Sequence, residues 1–163
     1  MINNKKGFTI IELLVVIAII GLLATLAVVS LRSAQVKARD TKRVADMKQI
    51  QTAVELYYSD EACYPSPTNW DDFTSDISEY MSNVPDDPKN TGDQVYTYLY
   101  NEVQGSADEF VLAVTAEELD ESLRAQSNQE SHVAIDYEGG VASNDTTPTS
   151  FDCSDADTYC LTE

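Results

Sequence analysis

The chain is poor in groups that do chemistry. Histidine occurs once, at His132, with no serine or cysteine motif beside it, and Cys63, Cys153 and Cys160 are too scattered for the ligand spacing of a zinc site. Gly7 stands alone and makes no phosphate-binding loop. The paired carboxylates Asp71/Asp72, Glu117/Glu118 and Asp120/Glu121 read as solvated surface. No catalytic constellation remains, and the expectation is a protein that is not an enzyme. Positive charge is also scarce and unevenly placed. Beyond Lys48 only Lys89 and Arg124 are basic, whereas 25 of the 28 carboxylates lie there (all but Glu12, Asp40 and Asp46), so this part repels nucleic acid. Helix breakers are missing too: between Phe8 and Tyr58 there is no proline, and the one glycine is Gly21.

What is present begins with an apolar run. Leu13 to Leu31 is 19 residues, which at about 1.5 Å rise each covers the roughly 30 Å of a hydrocarbon core. Its only polar residues, Thr25 and Ser30, can bond back to their own helix. Arg32 follows directly, and the run is too long for a cleaved secretory signal. Ahead of it stands Glu12, a lone carboxylate that costs at least a few kcal/mol in lipid and therefore calls for a partner. Basic residues flank the run on both sides, with Lys5 and Lys6 before it and Arg32, Lys37, Arg39, Lys42, Arg43 and Lys48 after it. Charge bias alone therefore gives conflicting orientations. The second basic stretch could equally attract the acidic part of another copy.

The segment Gly7-Phe8-Thr9-Ile10-Ile11-Glu12-Leu13-Leu14-Val15-Val16-Ile17-Ala18-Ile19-Ile20-Gly21, behind a short basic leader, resembles the class III signal of type IV pilins and type II secretion pseudopilins. The resemblance implies cleavage after Gly7 by a prepilin peptidase, leaving Phe8 as an N-methylated first residue. In a bundle of identical chains its ammonium would pair with Glu12 of an axially shifted neighbour, offsetting desolvation and setting register. It implies a single pass through the cytoplasmic (inner) membrane with an extracytoplasmic head. It also implies later polymerisation, as a structural subunit, into a surface pilus or a periplasmic pseudopilus. The implied partners are copies of the chain, related minor (pseudo)pilins, the peptidase, an inner-membrane assembly platform and, before assembly, lipid. A membrane-anchored acidic binding module that never polymerises is the alternative. Many family members carry a proline eight residues after the glycine matching Gly21; here Val29 stands there, removing the mechanical cause of a local unwinding.

The remaining pattern predicts an α+β fold, with a long N-terminal helix packed on a small antiparallel sheet. Val44, Met47, Ile50, Val54 and Tyr57 recur at helical spacing, so one helix of about 50 residues is expected from Phe8 to Tyr58. The organisation follows: leader 1–7, apolar half 8–31, amphipathic half 32–59, acidic head 60–163. Cys63-Tyr64-Pro65-Ser66-Pro67 ends the helix. Trp70, Phe73, Ile77 and Tyr80 mark a short amphipathic helix capped by Asn69. Strands are expected at Val95–Tyr100, Phe110–Thr115 and Val133–Tyr137, the last closed by Gly139-Gly140. The alternation of Tyr96, Tyr98 and Tyr100 with Thr97 and Leu99 predicts a half-exposed strand. The order Tyr64-Pro65, Pro85-Asp86-Asp87-Pro88, Tyr96-Thr97-Tyr98 looks most like the head of G-type major pseudopilins.

Near the C-terminus a disulfide between Cys153 and Cys160 is expected, pinning an acidic tail and leaving Cys63 free or pairing between chains. A link from Cys63 to either is the alternative. Asp152, Asp155 and Asp157 offer the hard oxygen ligands that Ca²⁺ takes, and G-type pseudopilins hold calcium in this region, although an acidic tail is more often simply solvated. No cofactor is required. Asn144-Asp145-Thr146 forms a glycosylation triplet of a kind that arises by chance.

Overall fold

Uninterrupted helix-compatible sequence yields an uninterrupted helix. In the computed structural model, which describes residues 7–89, 95–103, 106–126, 139–143 and 158–162, helix α1 runs from Ile10 to Glu61 over 52 residues and passes through Val29 without a break. The chain divides into two compact units, Met1–Val36 and Lys37–Glu163. In the first, no described residue of α1 is buried, and Thr25 Oγ1 donates to the Leu22 carbonyl at 2.7 Å, so its hydroxyl is satisfied within the helix.

In the second unit, Val44, Met47, Ile50 and Val54 of α1 enter one core with Tyr96, Tyr98, Phe110, Leu112, Tyr159 and Leu161. Each such side chain contributes about 1.5–3 kcal/mol on burial. The sheet against this core has order β3-β1-β2-β4, with every neighbouring pair antiparallel. Its strands are β1 (Tyr96–Val103), β2 (Ser106–Thr115), β3 (Gly139–Ala142) and β4 (Thr158–Thr162). Tyr96, Tyr98 and Tyr100 lie opposite Val114, Leu112 and Phe110, and the register shifts between Asn101 and Glu102.

Two expectations about the strands are corrected. The tyrosine strand is not half-exposed: Thr97 is 1% and Leu99 0% exposed, because Leu99 joins Val111, Ala113 and Cys160 in a second cluster on the other face. The C-terminal tail is not pinned by a disulfide alone: Thr158–Thr162 is a strand on the sheet edge, with Tyr159 and Leu161 in the main core. A five-residue strand beside an acidic run has too little local signal, and its pairing with β2 supplies the rest. Val133–Tyr137 lies outside the described residues. Gly139-Gly140, expected to close a strand, lie within β3 itself, where Gly140 and Gly139 pair with Leu99 and Tyr100. Glycines are poor strand formers, so only the neighbour makes them one.

The short helix forms as expected. Helix α2 (Trp70–Asp76) is capped by Asn69, whose side chain accepts from the Asp72 amide at 2.8 Å, and Phe73 stacks on Tyr98 with centroids 4.5 Å apart. It stops sooner than the apolar spacing suggested: Ile77 to Tyr80 form a turn, with the Tyr80 amide donating to the Ile77 carbonyl at 3.0 Å. A third, one-turn helix, α3 (Glu121–Arg124), is capped by Asp120, which accepts from the Leu123 amide at 3.0 Å.

Helix α1 ends at Ala62, whose φ of 58° places a non-glycine residue in the left-handed region while its amide closes on the Tyr58 carbonyl at 2.9 Å. Glycine is the residue that this helix-ending position favours, because a Cβ is strained there. Ala62→Gly is therefore expected to stabilise the second unit by roughly 0.5–1 kcal/mol, after allowing for glycine's extra unfolded-state entropy. Denaturant unfolding of wild type and variant checks the sign.

Candidate functional site

The expected processing residues precede the helix. Gly7 and Phe8 are exposed, Phe8 to 80%, and no heavy atom lies within 4 Å of where a Cβ on Gly7 would stand. Glu12 finds a partner that the sequence reading overlooked. Its carboxylate accepts from the Thr9 amide at 2.8 Å and from the Thr9 hydroxyl at 2.7 Å, while the Glu12 amide donates to Thr9 Oγ1 at 3.3 Å. This is a capping box: two amides that the first turn leaves unpaired are satisfied reciprocally. The signal, Thr9 three residues before Glu12, was present in the sequence. The Thr9 amide belongs to the Phe8–Thr9 bond, so cutting after Gly7 leaves it in place.

A second constellation is built from charges. Asp40 and Arg43 lie on the same helical face as Met47, Ile50 and Val54, and both are fully buried. The Arg43 guanidinium grips Asp87 with two bonds, Nε to Oδ2 at 2.6 Å and Nη2 to Oδ1 at 3.0 Å. Its Nη1 reaches Asp40 Oδ1 at 2.5 Å and Glu117 Oε1 at 3.2 Å. The Asp40 carboxylate also accepts from the amides of Glu117 and Glu118, at 3.0 and 2.8 Å. Arg39 binds Glu117 through Nε and Nη2 at 2.5 and 2.7 Å, and Lys89 Nζ reaches the same carboxylate at 2.5 Å. Three cations (Arg39, Arg43, Lys89) thus meet three carboxylates (Asp40, Asp87, Glu117), and the cluster is neutral. Around it, Lys37 pairs with Asp120 at 2.6 Å, Lys48 donates to Gln126 at 2.7 Å, and the Tyr96 hydroxyl donates to Asp46 at 2.7 Å.

The electrostatics follow. Bonding from Arg39, then from Lys89 and Arg43, outweighs burial and holds Glu117 down at about 2. Burial alone would lower Arg43, yet its bonds to Asp87 and Asp40 raise it above the ordinary arginine value. Burial first, then the bond to Asp46, pushes Tyr96 well up.

These contacts correct one expectation. Glu117 is not solvated surface: it sits under three cations, while Asp120, 31% exposed, caps α3. Lys37, Arg39, Lys42, Arg43 and Lys48 find partners within their own chain. Extending the apolar period of α1 upstream would have placed Asp40 and Arg43 on the core face.

Cys160, buried on β4, is disulfide-bonded, and Cys63 is a free, partly buried thiol. Cys153, Asp152, Asp155, Asp157, His132 and Asn144 lie outside the described residues. Among the described residues, no three His, Cys, Asp or Glu side chains are arranged to hold a metal.

Two measurements test the charged cluster. Removing one member of a buried ion network leaves uncompensated charge and costs about 3–5 kcal/mol, so Arg43→Met is expected to destabilise the second unit by that order in denaturant unfolding. Arg43→Lys recovers little, because an ammonium cannot reproduce the two-bond grip on Asp87. Glu117 is lower when folded than its ordinary 4.5, so the stability it contributes is complete above about 4.5 and is lost as pH falls toward about 2. Stability is expected to drop across that window, with a shallower slope in Glu117→Gln, as read from thermal melts at stepped pH.

Among the described residues, α1 is the one helix long and apolar enough to cross a membrane. Residues 2–28 match the family described as the prokaryotic N-terminal methylation motif. The chain is 29% identical over 127 residues to the type II secretion system core protein G of Vibrio cholerae, covering 71% of this chain and 85% of that protein. With the core protein G of Pseudomonas aeruginosa it shares 30% identity over 133 residues, covering 71% and 88%. With that of Escherichia coli the identity is 39% over 64 residues, 39% of this chain and 44% of the relative. No solved structure matches the chain. Extended identity across most of both chains, joined to the methylation motif and a long helix on a small antiparallel sheet, places the chain in the type II secretion system core protein G family.

Proposed function

We propose that the chain is a structural subunit, cut after Gly7, methylated at the new Phe8 amine and polymerised into a type II secretion pseudopilus. The observation carrying this reading is the uncovered apolar half of α1, where Phe8, Ile10 and Ile11 are 80%, 83% and 75% exposed and no described residue from Phe8 to Leu31 is buried. Such a surface is stable only in lipid or against other apolar helices. Lipid serves before assembly, with the acidic head outside the cytoplasm. Copies of the chain and related minor pseudopilins replace it afterwards, and head-to-tail contacts that do not close on themselves produce a filament. The prepilin peptidase hydrolyses the Gly7–Phe8 bond, releasing a carboxylate on Gly7 and an ammonium on Phe8. In the filament, that ammonium pairs with Glu12 of a neighbour. No catalytic step is assigned to the chain.

Glu12 separates this reading from a membrane-anchored binding module. Glu12→Val is expected to insert at least as well as wild type, since a costly charge is gone, but to assemble poorly. Glu12→Gln keeps an oxygen for the Thr9 amide and so retains the cap while losing the charge. It is expected to assemble as poorly as Glu12→Val, measured as sheared fibre yield against membrane-inserted subunit. Normal fibre yield from Glu12→Gln would show that the ammonium pairing does not govern assembly. Intact mass of the cell-associated form should correspond to a chain beginning at Phe8. A chain still starting at Met1, or starting beyond Ala27, overturns the reading.

A further inference from the structure

Five of the six cations that follow the apolar run are engaged within the chain, and Arg32 is the sixth. Its side chain is exposed and forms no ion pair or hydrogen bond among the described residues. Helical spacing puts it on one face with Val28 and Val29, both exposed, so a cation ends an apolar stripe.

The second unit carries the complementary pattern. A groove of about 420 Å³ is lined by Lys48, Thr52, Ala53 and Leu56 along one face of α1, and by Tyr80 and Met81. Leu56 and Tyr58 are the exposed large apolar side chains of this unit among the described residues. One turn beyond Leu56, the Asp60 carboxylate accepts from the Tyr80 hydroxyl at 2.8 Å, and the Tyr80 ring meets Tyr57 edge-on at 6.2 Å. Glu61, Asp76 and Glu79 stand around these two rings. The bond to Asp60, then burial and the charges of Asp60, Glu79 and Glu61, push the Tyr80 hydroxyl up to about 12. None of the four carboxylates forms an ion pair among the described residues. The groove is therefore cationic at Lys48, apolar at Ala53 and Leu56, and anionic from Asp60 onward.

A guanidinium suits the anionic end, because it donates to carboxylates and lies against aromatic rings. The order of charges also fixes the direction of an incoming helix. Lying parallel to α1, a second copy can set Arg32 beside Asp60, Val28 beside Leu56 and the small Gly21 beside Gln49. Lying antiparallel, it would bring Arg32 toward Lys48, where like charges repel. We propose that, given the assembly reading on which this rests, the groove receives the Val28–Arg32 turn of a second, parallel copy, with Arg32 drawn to Asp60 and Glu61. Arg32 thereby holds a subunit contact separate from the one made by Glu12.

The test uses the full chain in cells that process it, scored for membrane-inserted subunit, intact mass and sheared fibre yield. Arg32→Glu sets like charges against Asp60 and Glu61, and is expected to lower fibre yield about tenfold or more with insertion and the Phe8 start unchanged. D60K/E61K should do the same from the other side. Lysines in the last turn of α1 suit the helix dipole, so an unchanged melting temperature is expected for that variant. The triple variant R32E/D60K/E61K restores opposite charges and should recover most of the yield. Independently, V28C and L56C copies, both in a Cys63→Ser background, should cross-link on oxidation when expressed together and not when expressed singly. Absence of wild-type fibres overturns the assembly reading and this contact with it. With wild-type fibres present, undiminished yield in Arg32→Glu or D60K/E61K, no recovery in the triple variant, or no V28C–L56C product overturns the contact alone. An insertion defect in Arg32→Glu beside normal assembly of D60K/E61K also overturns it, assigning Arg32 to lipid phosphates.

Discussion

The second unit depends on keeping the Arg43 guanidinium paired where water cannot reach it. A buried cation is tolerable only when its donors are taken and its charge is balanced, and Asp40, Asp87 and Glu117 do both. Because these acceptors come from α1, from the Pro85–Lys89 turn and from the turn after β2, one side chain ties three separate segments together. It also fixes which face of α1 looks inward. Turning the helix to expose Arg43 would strand two carboxylates and withdraw Met47, Ile50 and Val54 from the core. Apolar packing and charge pairing thus specify the same rotation, and that agreement between levels makes a fold definite.

The same helix does different work along its length. From Phe8 to Leu31 it is apolar all round and no described residue there is buried; from Asp40 to Val54 one face is buried and the other solvated. At its start, Thr9 and Glu12 satisfy one another, which lowers what a carboxylate costs in an apolar setting. A subunit with Glu12 internally bonded can wait in lipid. In the proposed filament, assembly then exchanges a local hydrogen-bonded partner for an ammonium of opposite charge.

The head shows where inference from the sequence stops. Tyr96, Tyr98 and Tyr100 alternate as a strand should, and they form one, but alternation cannot tell whether the other face is wet; Leu99 is buried because Val111, Ala113 and Cys160 meet it. Glu117 looks like any acidic surface residue until Arg39, Arg43 and Lys89 converge on it. Thr158–Thr162 is a strand because β2 offers it a free edge, not because five residues insist on being extended.

The amino-acid sequence by itself determined what arises within a few residues: the unbroken helix, its apolar half, the Asn69 cap, the stop at Cys63–Pro67 and the Gly7–Glu12 signal. Each rests on helical period or on hydrogen bonds between residues three or four apart, and those are readable locally. Tertiary structure alone decided the charge pairing, the two-sided burial of the sheet and the C-terminal strand. Arg43 and Asp87 are 44 positions apart, and Arg39 and Glu117 are 78 apart. Whether a lone arginine is a solvated surface group or the centre of a neutral buried cluster depends on which distant carboxylates the fold delivers, and on the water they displace together.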